Sequence, residues 1–346
     1  MSVALPTPLS LPPGRPDGAT TKPLNVAGPD LAPRGALHER GPGRMALGYS
    51  FFVTSDDEHV ARAAQDMFDD LEPADHPAHT FHIASGHIES GHIASRHIAS
   101  GHSAPGPDRS FSVWADGVMT AEHVSRGVAL GTLVWLVNQG VILDPKRLVL
   151  FHAAAVAAGD EGVLLPAPPG CGKSTLAAAL VASGLSYLSD EAGALDLASG
   201  RLLAYPKPIS LGSGAMAVLS ALGMAPGGPA ADGASEEEEV QLAAAAIRPG
   251  SVAPSCTVRS IVFPELALGE STALHRLRPM EALARLVPNT FNLAQRPQEH
   301  LEACAELCRR AEAYRLVVGD LASACGAVLD LGRSAGGVHP DVQVAR

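Results

Sequence analysis

The residues best suited to do chemistry lie in a short glycine-containing run near the middle of the chain. Residues 167–175 read APPGCGKST, which is a P-loop pattern with Ala in place of the first Gly. In such a loop, successive backbone N–H groups point inward and meet a helix N-terminus, forming a cradle for a di- or triphosphate. The predicted nucleotide-binding residues are Ala167, Pro168, Pro169, Gly170, Cys171, Gly172, Lys173, Ser174 and Thr175. We expect Lys173 to reach the β- and γ-phosphates of ATP and Ser174 to ligate Mg²⁺, whose second protein ligand stays unassigned.

The segments on either side of this run have the pattern that a P-loop requires. Two β-rich runs, residues 148–156 and 162–165, are separated by a Gly-Asp turn signal, and the second leads directly into the loop. Residues 173–183 predict a helix that ends at Gly184. A chance Gly-rich turn without function lacks this strand–loop–helix context, so we predict nucleotide binding here.

A pair of carboxylates, Asp190 and Glu191, follows the loop after an unusually short interval. Asp190 lies at the end of the strand predicted after the loop helix. In an open α/β sheet, such strand ends border the ligand crevice. We therefore expect Asp190 to accept a proton from an attacking hydroxyl, and Glu191 to orient that hydroxyl or bind metal through water. The alternative is that the pair caps a turn or belongs to a distant metal site.

These residues carry a resemblance to a known family. His152, its spacing to the loop and the interval from Lys173 to Asp190 resemble the serine kinase domain of HPr kinase/phosphorylase, and about residues 45–335 resemble the HprK-related kinase A group. The resemblance implies a P-loop kinase domain of the HPr kinase and phosphoenolpyruvate carboxykinase type that uses ATP and Mg²⁺. It places His152 and Asp190 in the catalytic site, with Glu191 as the second acid. The family's later motif, with another acidic Mg²⁺ ligand, has no clear match here.

Composition limits the partners. The net charge of −11 argues against an extended nucleic-acid footprint. The longest apolar run, residues 128–137, is too short to span a bilayer and predicts a buried core helix, so no membrane partner is expected. Five cysteines at irregular spacing favour a reducing compartment, and we predict a cytoplasmic protein. The resemblance leaves a homo-oligomer open.

We predict an α/β fold in three regions. Residues 1–44 are rich in Pro and Gly and are expected to be disordered, residues 45–146 form a small N-terminal α+β subdomain, and residues 147–346 form the kinase-like domain. A repeat of period five gives a loop at residues 82–105, interpreted as an overgrown hairpin loop rather than a metal site. Its histidines are His82, His87, His92, His97 and His102. Residues 224–239 are interpreted as a mobile connection, with a substrate lid as the alternative.

The function predicted from these features is ATP-dependent phosphorylation of a Ser hydroxyl in a protein or peptide. A catalytically inactive nucleotide-binding regulatory protein is the main alternative, because the second metal ligand is unassigned. A P-loop ATPase is a weaker one, since we find neither a distal aliphatic-Asp-Glu strand nor an LSGGQ-type signature.

Overall fold

The computed structural model describes residues 42–87, 109–144, 147–224 and 239–333. These residues form an α/β protein with three sheets and eight α-helices, which agrees with the predicted α/β class in general. The tail 1–41, residues 88–105 of the predicted repeat loop and residues 225–238 of the predicted connection lie outside the described residues.

The first half of the chain forms a six-stranded sheet. Its strands are β1 (Gly43–Ala46), β2 (Tyr49–Ser55), β3 (Glu72–Ala74), β4 (His79–His87), β5 (Arg109–Ala115) and β6 (Val118–Val124). Their order is β3-β1-β2-β4-β5-β6, and only the β2–β4 pair is parallel. The sheet packs against two helices, α1 (Glu58–Met67) and α2 (Arg126–Leu143). Alternation along the strands places Phe51, Phe81 and Ile83 in the core beneath these helices.

Strands β1 and β2 form a hairpin, joined by a turn at Leu47 and Gly48. One expectation for this half, the loop at residues 82–105, needs correction. The repeat flanks do pair as antiparallel strands, but β4 continues through His87, so the first repeat unit is strand rather than loop. Helix α1 is capped by the Asp57 carboxylate, which accepts from the His59 and Val60 amides.

Helix α2 is the apolar helix expected from residues 128–137, and it is longer than that run. It has 18 residues, and its buried positions include Leu133, Val137 and Val141. By length and composition it is the one helix within the described residues that could cross a membrane, and a core helix packed inside a protein passes the same test. Its Ser125 cap begins the helix directly after β6.

The second half builds the larger sheet and a small two-stranded one. The strands are β7 (Leu148–Ala158), β8 (Glu161–Pro166), β9 (Ser186–Ser189), β10 (Ala192–Asp196), β11 (Leu202–Leu203), β12 (Ile209–Leu211), β13 (Val240–Leu242), β14 (Ser255–Leu266), β15 (Ala273–Leu277) and β16 (Glu312–Val318). The helices are α3 (Lys173–Ala182), α4 (Ser213–Ala221), α5 (Ala244–Ile247), α6 (Pro279–Leu286), α7 (Pro297–Arg310) and α8 (Leu321–Arg333).

The larger sheet has a central parallel part with helices on both faces. The order is β11-β10-β7-β8-β14-β16-β15, with β9 paired to β7, and β14 runs parallel to both β8 and β16. Helices α3 and α8 pack on one face, and α6 and α7 pack on the other. Strand β7 is long enough to pair with β10 through its first half and with β8 through its second. This arrangement brings the β9–β10 turn beside the end of β8.

The two halves contact each other directly. The Tyr205 hydroxyl, in the segment between β11 and β12, donates to the Asn138 side chain of α2. The Ala245 amide donates to an Asp70 carboxylate oxygen at 3.2 Å. Tyr205 is fully buried and belongs to the core of the first sheet, so the N-terminal half packs against the segment that leads to the candidate site.

Candidate active site

The glycine-containing loop connects β8 to α3, as the sequence predicts. Gly170 and Gly172 have φ angles of 79° and 75°, in the left-handed region that glycine adopts without strain. Gly172 is the N-cap of α3 and supplies no side-chain capping bond. The first N–H groups of α3 therefore have no side-chain acceptor at the cap, and the positive end of the helix dipole faces the loop.

Lys173 is buried inside this loop, with 6% of its surface exposed. Its ammonium donates to the carbonyl oxygens of Ala167 at 2.8 Å and Pro168 at 3.0 Å, and it lies 3.1 Å from Nε2 of His152. An ammonium only donates, so Nε2 of His152 accepts and the imidazole hydrogen is on Nδ1. All three acceptors are neutral. Burial lowers the pKa of Lys173, and the nearby charges of Glu191 and Asp190 act in the opposite direction.

His152 comes from β7, opposite Ala192 of β10, and is 8% exposed. Burial and the neighbouring Lys173 charge lower the pKa of His152 to about 3, although the Asp190 charge acts in the opposite direction. The imidazole is therefore neutral near pH 7, which agrees with its role as acceptor for Lys173. The Phe291 ring packs beside it, with the centroids 5.1 Å apart.

Asp190 lies in the turn between β9 and β10 and is 1% exposed. Its Oδ1 accepts from the Tyr187 hydroxyl at 2.8 Å and forms an ion pair with the Lys207 ammonium at 2.7 Å. Its Oδ2 is buried and has no hydrogen-bond partner in the part of the chain that the structure describes. The carboxylate is thus enclosed, with one oxygen already bonded to two donors.

Glu191, the next residue, is more accessible. Its side chain is 21% exposed, and its Oε1 lies 3.7 Å from Nε2 of His152. Burial raises the pKa of Glu191, and the Asp190 charge adds to this effect, whereas the charges of Lys207 and Lys173 oppose it. Its backbone carbonyl accepts from the Ala153 amide of β7 at 3.1 Å, which holds the turn against the sheet.

The structure brings together the loop, Lys173, His152 and the carboxylate pair, all singled out in the sequence. Ser174 and Thr175 lie half-buried in the first turn of α3. Pro168, Pro169 and Gly170 are exposed and Cys171 is half-buried, which leaves the outer side of the loop open to solvent. Among the described residues, no group of three or more His, Cys, Asp or Glu side chains is arranged to hold a metal ion.

Sequence reasoning missed Lys207. It lies between Pro206 and Pro208, in the segment joining β11 to β12, and is 2% exposed. Its ammonium also donates to the Pro208 carbonyl at 2.7 Å. The available signal was a lysine within the otherwise uncharged run YPKPISL. A charged side chain in such a run is buried only beside a partner of opposite charge, so this lysine indicates a buried ion pair.

No family model and no curated protein matches the chain. The resemblance to HPr kinase therefore stays a hypothesis that rests on the residues of the loop, His152 and the carboxylate pair.

Proposed function

We propose that the chain is an ATP-dependent kinase that transfers the γ-phosphate to a Ser hydroxyl of a protein or peptide. The observation that carries this proposal is the environment of Lys173. Among the residues that the structure describes, its buried ammonium contacts only neutral acceptors, inside a loop that opens on the N-terminus of α3. A buried cation without an anionic neighbour in hydrogen-bond contact is stabilised by an anionic ligand, and a phosphate chain is the anion that such a loop fits.

The proposed nucleotide site assigns a role to each part of the loop. The backbone N–H groups of residues 170–175 and Lys173 would hold the phosphates, and the Ser174 hydroxyl would hold Mg²⁺, which supplies charge neutralisation when bound. Neutral His152 positions the Lys173 ammonium. The strand–loop–helix order and the parallel strands β8, β14 and β16 support a P-loop kinase domain of the HPr kinase and phosphoenolpyruvate carboxykinase type.

The carboxylate pair supports transfer to a hydroxyl. In that reaction the Ser oxygen forms a bond to the γ-phosphorus, the bond from that phosphorus to the bridging oxygen breaks, and ADP leaves. The hydroxyl proton passes to a carboxylate. Asp190 and Glu191 follow β9 directly, and both are close enough to affect the pKa of Lys173. The cytoplasmic location, the Ser-bearing partner and a homo-oligomer remain parts of this proposal.

The test combines ATP binding with phosphate transfer. We expect MgATP to bind the wild type in calorimetry and Lys173→Ala to weaken binding by roughly 10- to 100-fold, the loss expected for one charged hydrogen bond. Arg62→Ala, an exposed cation on α1, is the matched control and should bind as the wild type does. Labelled γ-phosphate should then appear on a degenerate peptide library with one fixed Ser, and not on the library with Ala in that position.

The possible results separate the candidate functions. Label released only as inorganic phosphate would support a P-loop ATPase. Binding without any transfer would support a nucleotide-binding regulatory protein, which is the second candidate because the Asp190 carboxylate is enclosed by Lys207 and Tyr187. Absence of MgATP binding would overturn the proposal.

A further inference from the structure

We propose that Glu191, rather than Asp190, is the catalytic carboxylate that accepts the hydroxyl proton, and that Asp190 and Lys207 form an ion pair that positions it. This inference rests on the proposed kinase function and deepens it. It reverses the roles that the family resemblance implies for the two acids.

The surroundings of Asp190 suit a fixed anion rather than a proton acceptor. The residue is 1% exposed, and its Oδ1 already accepts from Tyr187 and Lys207. Its Oδ2 is closed off from solvent. A substrate hydroxyl must come within about 3 Å of its base. Reaching either oxygen of Asp190 would require the enclosing groups to move, and moving Lys207 would leave two buried charges unpaired, which is costly.

The surroundings of Glu191 suit contact with a substrate. Its side chain keeps 21% of its surface exposed and lies 3.7 Å from His152, the residue that contacts Lys173. The carboxylate is thus one side chain away from the ammonium proposed to hold the γ-phosphate. In the transfer step, the Ser hydroxyl proton moves to the Glu191 carboxylate as the new oxygen–phosphorus bond forms. The electron pair of the broken bond stays on the ADP oxygen, so the atoms and charges balance.

The ion pair fixes the position of the Glu191 side chain. Lys207 binds the Asp190 side chain on one side of the turn, and the Tyr205 amide donates to the Leu188 carbonyl at 2.8 Å on the strand before it. The Glu191 carbonyl is held by Ala153. Since adjacent residues share one stretch of backbone, an inward Asp190 held by Lys207 leaves the Glu191 side chain on the accessible side of the turn.

The experiment compares Glu191→Gln with a variant that removes both charges of the ion pair, Asp190→Asn/Lys207→Gln. Asp190→Asn alone would leave the buried Lys207 charge unpaired. A loss of activity through unfolding could then not be distinguished from a loss of catalysis, so the double variant is used. Glu72→Gln, an exposed acid on β3, is the control for the substitution itself. Each protein is measured for unfolding in urea, for MgATP affinity, and for kcat and KM on the single-Ser peptide library.

We expect Glu191→Gln to fold and bind MgATP like the wild type while kcat falls by a factor on the order of 10² to 10⁴, as for loss of a general base. The double variant should keep its KM for MgATP and lose at most about tenfold in kcat. Lys207→Arg, which keeps the cation beside Asp190, should keep a higher kcat than the double variant does. A purely structural pair would change the folded fraction without this difference in kcat per folded molecule.

Other results would overturn the inference. Glu191→Gln at the wild-type rate would exclude Glu191 as the acceptor. A folded double variant that loses as much kcat as Glu191→Gln would return the role to Asp190. Both results require a wild type that phosphorylates Ser, so they contradict this inference alone. A wild type that binds MgATP without transferring phosphate would overturn the kinase proposal and this inference together.

Discussion

Two buried lysines border the candidate site, and they differ in what compensates their charge. Lys173 is 6% exposed and contacts two carbonyls and an imidazole, whereas Lys207 is 2% exposed and contacts the Asp190 carboxylate at 2.7 Å. Burying a charge is costly unless an opposite charge accompanies it. The protein itself therefore supplies the counter-ion of Lys207, in Asp190. Lys173 has no such partner among the described residues, so an anionic ligand could supply its counter-charge.

The strongest test of this difference compares Lys207→Met with Lys173→Met in urea unfolding. Removing Lys207 leaves the buried Asp190 carboxylate without its cation, and we expect the free energy of unfolding to fall by about 3–5 kcal/mol. Removing Lys173 takes away a buried cation that bonds to no carboxylate among the described residues, so we expect no loss, or a small gain. Adding Asp190→Asn to Lys207→Met should recover most of the lost stability.

Equal destabilisation by the two Lys→Met substitutions would contradict the comparison, because it would mean that both ammonium groups contribute to the fold in the same way. A large loss in Lys173→Met alone would mean that its bonds to the loop carbonyls, rather than a ligand, explain its position.

Much of the loop's setting could be predicted, because its signals are local. The predicted strands 148–156 and 162–165 correspond to Leu148–Ala158 and Glu161–Pro166, and the predicted helix 173–183 corresponds to Lys173–Ala182. Apolar runs, a Gly-Asp turn and a terminal Gly are each read from neighbouring residues. By contrast, the β1–β2 turn places Leu47 at a φ of 51°, and a leucine gives no signal for that conformation.

The pairs that enclose the site could not be predicted, since they join residues distant in the chain. Lys207 meets Asp190 only because the segment after β11 returns across the β9–β10 turn. Asn292 clamps β7 through its side chain, accepting from the Leu150 amide at 3.0 Å and donating to the Leu148 carbonyl at 2.8 Å, across more than 140 residues. Such pairings follow from tertiary packing, and nothing in the local pattern at Asp190 distinguishes an enclosed carboxylate from an accessible one.

A second, smaller test uses acid. The pKa of His152 is about 3 in the folded protein, below the value near 6.5 of an unfolded chain, so the unfolded state binds the proton first as pH falls. The stability contribution of neutral His152 is complete above pH 6.5 and is lost progressively between pH 6.5 and 3, at up to about 1.4 kcal/mol per pH unit.

Substituting Lys173 should change how much stability the protein loses in acid. The Lys173 charge helps to lower the pKa of His152, so Lys173→Met should make the loss of stability with acid shallower, and His152→Gln should remove this component. His300 is also buried with a lowered pKa, so the measured quantity is the difference between wild type and variant in urea unfolding from pH 7 to pH 4. A Lys173→Met curve parallel to the wild type would show that burial alone sets the His152 pKa.

The smallest expected effect is on the alkylation rate of Cys171. It distinguishes the roles of Lys173 and Lys207 without unfolding the protein. Cys171 is a half-buried free thiol in the loop, whereas the other four cysteines are buried. Phosphate bound in the loop would cover this thiol, so we expect MgATP to slow its alkylation by iodoacetamide severalfold, measured by mass spectrometry of the labelled peptide. The protection should disappear in Lys173→Ala, which lacks the phosphate contact, and persist in Asp190→Asn/Lys207→Gln, which keeps it. Equal labelling with and without MgATP in the wild type would mean that bound phosphate does not reach the loop at Cys171, and that the neutral contacts of Lys173 reflect packing rather than a site for an anion.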